Sequence, residues 1–263
     1  MIRSALMNVM TSAAIKAGRG LKRDFGEVEN LQVSIKGPGD FVTIADKKAE
    51  KTLFEELSKG RPGYGFLMEE GGEIEGSDKS HRWIIDPLDG TTNFLHGLPV
   101  FAISLALERE GQLVAAVVYN PATDETFLAE KGQGAWYNNH RMRVSARRDM
   151  AECLIGCGVP HLGKAKTHTK FKAELSAVMA RAHNIRRMGA AALDLAMVAS
   201  GRLDAYWERD LAAWDIAAGI LLVKEAGGYV TDADGGDTMM ASGSICVGND
   251  QIHRALLSLL KTA

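Results

Sequence analysis

The chain has 263 residues, room for one large or two modest domains, and 46% of them are hydrophobic, enough for a substantial buried core. Its 31 basic and 33 acidic residues leave a net charge of -2, which argues against a protein whose main task is gripping a nucleic-acid backbone. Three cysteines, Cys153, Cys157 and Cys246, with no CxxC spacing, argue against a disulfide framework or a zinc site and suit a reducing cytosol. No segment approaches the ~20 consecutive apolar residues of a membrane span. Residues 1–20 hold no uninterrupted apolar run followed by a cleavage site, so a cytoplasmic protein is expected.

Apolar positions at helical spacing over 4–17 and 46–58, such as Ala49, Leu53, Phe54 and Leu57, predict two opening helices, each closed by a glycine break. From 64 to 145 the texture changes to short β-type runs at 64–68, 82–85, 100–108, 113–119 and 125–129, with Glu110-Gly111 as a hairpin turn. Beyond about residue 150 come a strand at 154–159, helices at 166–182 and 190–200, a strand at 203–207 and a helix at 214–225 stopped by Gly227-Gly228. Strands at 229–231 and 245–247 and a helix at 250–260 complete the chain. The expectation is a layered α/β protein in two halves, 1–148 and 149–263, with a site at their shared interface.

The sharpest segment runs from Trp83 to Phe94, an apolar strand that delivers Asp86 and Asp89 into a turn containing Pro87 and Gly90. Pro87 stiffens the backbone between the two acids, so both carboxylates can be held towards one point, where the Leu88 carbonyl adds a third hard oxygen of the kind that selects magnesium. Gly90, Thr91 and Thr92 then offer N–H groups and hydroxyls at a helix start, an anion site beside the metals. The plainer reading is a turn shaped by two aspartates and a helix capped by a threonine.

Three further acids each carry two readings. Glu69, with Glu70, sits at a strand end before Gly71-Gly72 and either reaches the same centre or is a solvated loop residue. Asp215 heads an apolar helix and either complements its dipole or ligates metal. Asp46 follows Thr43 at capping-box spacing, or polarises Thr91 and through it an attacking water. If Glu69, Asp86, Asp89 and Asp215 converge, pairs ~4 Å apart repel by about 4 kcal/mol at an effective dielectric of 20, so the cluster requires cations. Two or more magnesium ions would neutralise it and clamp both oxygens of an in-line phosphoryl transfer.

Asp86-Pro-Leu-Asp-Gly-Thr-Thr-Asn-Phe94 and Trp214-Asp-Ile-Ala-Ala-Gly219, together with the 40–46 segment, Glu69-Glu70, and the 189–196 and 201–208 segments, resemble the inositol monophosphatase family, in particular its bacterial SuhB-like branch. The resemblance implies the α-β-α-β-α sugar-phosphatase sandwich, a homodimer, activation by two or three magnesium ions and inhibition by lithium. It implies metal ligation by Glu69, Asp86, the Leu88 carbonyl, Asp89 and Asp215, and water activation by Asp46 and Thr91, with Glu69 also placed among the catalytic residues. Gly90 and Thr91 would hold phosphate, and Glu208 would bind hydroxyls of a small phosphorylated polyol. Ala191 and Asp194 would lie near the substrate ring, although the sequence itself reads them as a plain helix residue and a solvated helix face. Ala212 departs from the histidine that animal members carry near the substrate. The metal signatures do not choose among inositol phosphate, fructose 1,6-bisphosphate, histidinol phosphate and 3'-phosphoadenosine 5'-phosphate. The SuhB-like branch also implies a transcription-machinery partner, for which Arg141, Arg143, Arg147 and Arg148, with Arg186 and Arg187, form local basic runs.

Overall fold

The computed structural model describes residues 4–25, 27, 33–37, 40–161 and 167–263. In chain order its elements are α1 (Ala5–Phe25), β1 (Val33–Gly37), β2 (Asp40–Thr43), α2 (Ile44–Gly60), β3 (Tyr64–Met68), β4 (Gly72–Ile74), β5 (Asp78–Asp89), α3 (Thr91–Leu95), β6 (Ala102–Arg109), β7 (Gln112–Asn120), β8 (Glu125–Glu130), β9 (Gly134–Tyr137) and β10 (His140–Arg141). There follow β11 (Leu154–Cys157), α4 (His168–Met179), β12 (Asn184–Arg186), α5 (Ala191–Ala199), β13 (Ala205–Glu208), α6 (Ala213–Glu225), β14 (Tyr229–Thr231), α7 (Met239–Ser242), β15 (Ile245–Gly248) and α8 (Asp250–Thr262). The cap expected at Thr43 concerns a side chain outside the described residues, as does the first residue of the helix expected from 166.

A large sheet has the strand order β10-β9-β8-β7-β6-β5-β3-β4, and a smaller one the order β12-β11-β13-β15-β14. The alternation of side chains along strands builds the layers. On the large sheet, Trp83, Ile85, Ile103, Leu105, Leu107 and Val117 face α1 and α2. The intervening Ile84, Ala102, Ala106, Ala116 and Val118 face α5 and α6, where Tyr206, Ile245 and Val247 of the small sheet join the same core. The other face of the small sheet, with Ile155, Trp207 and Cys246, packs against Val178 of α4 and Ile252, Leu256 and Leu260 of α8. The chain is therefore an α-β-α-β-α sandwich, with α5 and α6 as its middle layer. Almost wholly apolar on all sides, α6 suits burial between two sheets.

Several expected bounds shift. The helix expected over 4–17 continues to Phe25, and the strand expected over 82–85 runs from Asp78 to Asp89, through Pro87. The Glu110-Gly111 turn joins β6 to β7 with φ of 50° and 75°, the pair of positive angles of a type I′ hairpin, which matches the twist of the strands. The basic run at 141–148 is partly built into the fold. Arg141 lies over the Trp136 ring at 5.6 Å, and Arg147 pairs at 3.0 Å with Asp204, which is 1% exposed. No helix of the described residues is long and apolar enough to cross a membrane.

Just past β13, Arg209 donates through Nε to Glu174 of α4 at 2.8 Å and through its other nitrogens to Asp234. Glu174 is buried. Arg209→Ala would strand that carboxylate without its partner, which costs about 3–5 kcal/mol. The expected result by calorimetry is a Tm lower by roughly 6–20 °C, at the 2–4 °C per kcal/mol typical of this chain length; an unchanged Tm would remove the network from the stabilising interactions.

Candidate active site

The centre of the site is an irregularity at the end of β5. Asp86 pairs with Ser104 of β6, but the next paired residue is Asp89, opposite Ala102, so two residues of β5, Pro87 and Leu88, stand opposite one of β6, Ile103. This is a β-bulge, and Pro87, which has no N–H to give the ladder, falls inside it. In a regular strand, residues three apart face opposite sides of the sheet. Here the extra residue brings Asp86 and Asp89 to one face, that of their partners Ser104, whose hydroxyl donates to the Trp214 carbonyl, and Ala102, which lies in the α5/α6 core. Leu88 points the other way, into the α1/α2 core.

Backbone groups fix both carboxylates. Asp86 Oδ1 accepts the Leu88 N–H at 2.8 Å. Asp89 Oδ2 accepts the Ala192 N–H at 2.7 Å and so caps α5 from the other half of the chain, an end where α5 has no side-chain cap of its own. Glu69 enters from β3, which runs parallel to β5 with Met68 opposite Ile85, and its N–H donates to the Ile85 carbonyl at 3.2 Å. Asp215 enters from the first turn of α6, where Oδ2 accepts the Ala212 N–H at 2.7 Å, so the helix-terminus reading holds for it.

These acids feel one another. Asp86 is held well above the usual carboxylate range, first by burial and then by the charges of Glu69, Asp89 and Asp215, with the Leu88 N–H pulling the other way. Asp89 is raised by burial, Asp215, Glu208 and Glu69, against the Ala192 N–H. Among the described residues, no basic side chain figures in the leading influences on either group. Hard carboxylate oxygens in this setting suit a divalent cation such as magnesium. No group of three or more His, Cys, Asp or Glu among the described residues is gathered tightly enough to hold an ion as it stands. The four acids share one electrostatic neighbourhood, not a closed cage.

Beside them, the Thr91 hydroxyl lies 3.0 Å from the Leu88 carbonyl and 3.3 Å from Oδ1 of Asp46, which is buried on the first turn of α2. The expected helix start at Gly90 is a short one, five residues of α3, so an anion there would meet the amides of the turn and not a long helix dipole. Gly90 has φ of 91°, and a β-carbon on it would come within 2.8 Å of the Val100 carbonyl and 3.1 Å of Ala190. Glycine is thus required twice over, by backbone angle and by space. Asn93 fastens the turn across the interface, donating to the Val100 carbonyl at 2.8 Å and the Met188 carbonyl at 2.9 Å.

Asp194 corrects an expectation. The sequence placed it on a solvated face, but it is 1% exposed in α5, and its Oδ1 has no hydrogen-bond partner among the described residues. Burial, then the charges of Glu208 and Asp89, push it up to about 9, against the opposing pull of Arg187. Ala191, the first residue of α5, is buried next to the Asp89-capped turn. Sequence reasoning missed Glu50. One helical turn after Asp46 on α2, it is buried, accepts the Glu70 N–H at 2.9 Å, and is raised first by burial and further by Glu70 and Glu69. The i,i+4 spacing from Asp46 was the available signal.

The inositol monophosphatase family profile matches residues 3–263. The chain is 62% identical over 261 residues to a protein of Mesorhizobium japonicum named inositol-1-monophosphatase, which covers 99% of this chain and 98% of that protein. It is 42% identical over 258 residues to the Nus factor SuhB of Escherichia coli K12, covering 97% and 96%. The crystal structure of extragenic suppressor protein suhB from Bartonella henselae superimposes with a TM-score of 0.96 at 58% identity, over 99% of this chain and 100% of that one.

Proposed function

Since the chain belongs to the inositol monophosphatase family, we propose that it hydrolyses the phosphate ester of a small polyol, inositol 1-phosphate first among the candidates, with magnesium bound by Glu69, Asp86, Asp89, Asp215 and the Leu88 carbonyl. The observation that carries this reading is the buried pair Asp86 and Asp89, turned to one face by the bulge and burdened by the charges of Glu69 and Asp215. Two or three magnesium ions, when bound, supply the positive charge that neutralises these acids and stabilises the charge developing on the transferred phosphoryl group.

The chain's own groups divide the remaining work. The amides of the Gly90-Thr91 turn hold the phosphate. The Thr91 hydroxyl directs its proton towards Asp46 and the Leu88 carbonyl, which leaves its oxygen lone pairs to accept a proton from water and orient that water towards phosphorus. Glu208 accepts hydrogen bonds from polyol hydroxyls, with Ala191 and Asp194 beside the ring. The enzyme would act in the cytoplasm as a homodimer.

The test is a panel of inositol 1-phosphate, fructose 1,6-bisphosphate, histidinol phosphate, 3'-phosphoadenosine 5'-phosphate and phenyl phosphate, compared by kcat/KM. Protein stripped with a chelator is expected to be inactive and to recover with magnesium, and the inositol ester to lead the panel by at least about tenfold, because a pocket that hydrogen-bonds one arrangement of hydroxyls rejects esters that lack or misplace them. Release of no phosphate from any member in magnesium would refute the reading. The 42% identity to a protein named Nus factor favours a second role with the transcription machinery. Its check is co-purification of transcription proteins from the native source, retained in Asp86→Asn.

A further inference from the structure

Glu208, the last residue of β13, is clasped by two residues to which nothing above gives a role. Strand β13 runs parallel to β11, with Gly156 opposite Tyr206 and Cys157 opposite Trp207, and the Gly158 N–H donates to the Trp207 carbonyl at 3.2 Å. The two-residue strand period sets Tyr206 and Glu208 on one face of β13 and, on the matching face, Gly156 of β11 and Gly158 just past its end. The two glycines leave space that the two larger side chains fill. A β-carbon on Gly156 would lie 3.0 Å from the Tyr206 ring, and one on Gly158 would fall on the Glu208 carboxyl itself. From its other side, Glu208 Oε2 accepts the hydroxyl of Tyr206, a side chain fully buried in the α5/α6 core.

A carboxylate at a strand end, carried on three rotatable bonds, has no fixed direction by itself. Here a charge-assisted hydrogen bond holds one oxygen, and a bare α-carbon lets the carboxyl lie flat against the neighbouring strand. Leu203 at 2.9 Å and the buried Oδ1 of Asp194 at 3.5 Å also border the place where a Gly156 β-carbon would stand, so Tyr206 is packed on this side too and its hydroxyl is held in place.

We propose that Tyr206 and Gly158 are positioning residues that aim the Glu208 carboxylate at substrate hydroxyls and thereby set the enzyme's selectivity for phosphate esters with hydroxyls on neighbouring carbons. The inference rests on the polyol-phosphatase reading above. It separates two properties that the metal-site acids do not distinguish: turnover, which belongs to Asp86 and its neighbours, and choice of alcohol, which belongs to this clasp.

The experiment compares kcat and KM for inositol 1-phosphate and for phenyl phosphate, which has no hydroxyls, in magnesium. The three atoms nearest a Gly158 β-carbon all belong to the Glu208 carboxyl, so Gly158→Ala displaces the end of one side chain and should leave the protein folded with an unchanged Tm. The expected result is a KM for the inositol ester raised about tenfold in Gly158→Ala and in Tyr206→Phe, with kcat held within about twofold and phenyl phosphate turnover unaffected, the scale of one aligned hydrogen bond. Glu208→Gln should lose at least as much selectivity, and adding Gly158→Ala to it should lose no more, because both act through the same carboxylate. Equal losses on the two substrates, unchanged selectivity in both single variants, or additive losses in the double variant would overturn the proposal. A crystal structure of Gly158→Ala reads the positioning directly: a displaced Glu208 carboxyl supports it, and an unmoved one overturns it whatever the kinetics. Wild-type protein with no preference for the inositol ester would instead overturn the polyol reading and the selectivity drawn from it, and the crystal structure would still decide the clasp.

Discussion

Asp86→Asn is expected to lower phosphate release in magnesium by at least about 10³-fold while leaving the protein folded and no less heat-stable than the wild type. Losing a single preorganised group at a transition state costs 10²–10³ in kcat, and losing a partner behind a metal ligand costs 10–100 in affinity. A first ligand that carries charge should exceed both. Stability should not follow activity down. The asparagine oxygen still accepts the Leu88 N–H now received by Asp86 Oδ1 at 2.8 Å, and the substitution removes a 2%-exposed charge from beside Glu69, Asp89 and Asp215. A buried charge among like charges is a liability to the fold. Sites that hold such groups exchange stability for function. Phosphate release and calorimetry without added metal check the two halves together. Activity within tenfold of wild type would dismiss Asp86 from the metal site, and a Tm lowered by several degrees would show that the carboxylate is structural.

That combination of burial and charge was partly readable beforehand. Two aspartates flanking Pro87 on an apolar strand announce themselves, because an unsupported buried acid is costly and a strand has little local use for two. That both could be held towards one point was read from a turn stiffened by Pro87, but the strand that carries them and the bulge within it were not readable. By the two-residue period Asp86 and Asp89 belong on opposite faces, and only the pairing with β6 shows the extra residue that reunites them. Glu50 and Asp194 were missed or misplaced for a related reason. A glutamate or aspartate on a helix whose neighbours are alanine and leucine looks like its polar face, and its burial depends on which layer covers it. Asp194 lies on α5, the layer enclosed by sheets on both sides, so α5 has no solvated face to offer it. The long periodic elements were legible, and with them a layered α/β protein, while the order of the five layers came with the family resemblance. The short β4, β9, β10 and β12, of two to four residues each, carry too few side chains for a period to register, and the parallel pairing of β3 with β5 across an intervening strand has no local signature.

The second large effect separates charge from geometry at Thr91. Its hydroxyl has one proton and two acceptors within reach, the Leu88 carbonyl at 3.0 Å and Asp46 at 3.3 Å. If Asp46 only positions the hydroxyl, Asp46→Asn should be mild, since an asparagine oxygen accepts the same hydrogen bond. If it polarises the hydroxyl, loss of the negative charge should lower kcat by about 10²–10⁴, the range for assisted proton transfer, with KM little changed because Asp46 is buried and meets the site through the Thr91 hydroxyl. The expected outcome is the second. Thr91→Val, which deletes the hydroxyl and keeps the shape, should fall as far, while Thr91→Ser, which keeps the hydroxyl, should retain most of the wild-type rate. Steady-state kinetics on inositol 1-phosphate in saturating magnesium distinguish the cases. A Thr91→Val enzyme with near-native kcat would mean that water is oriented without the Thr91 hydroxyl, and Asp46 would then revert to a residue of the first turn of α2 with no part in the chemistry.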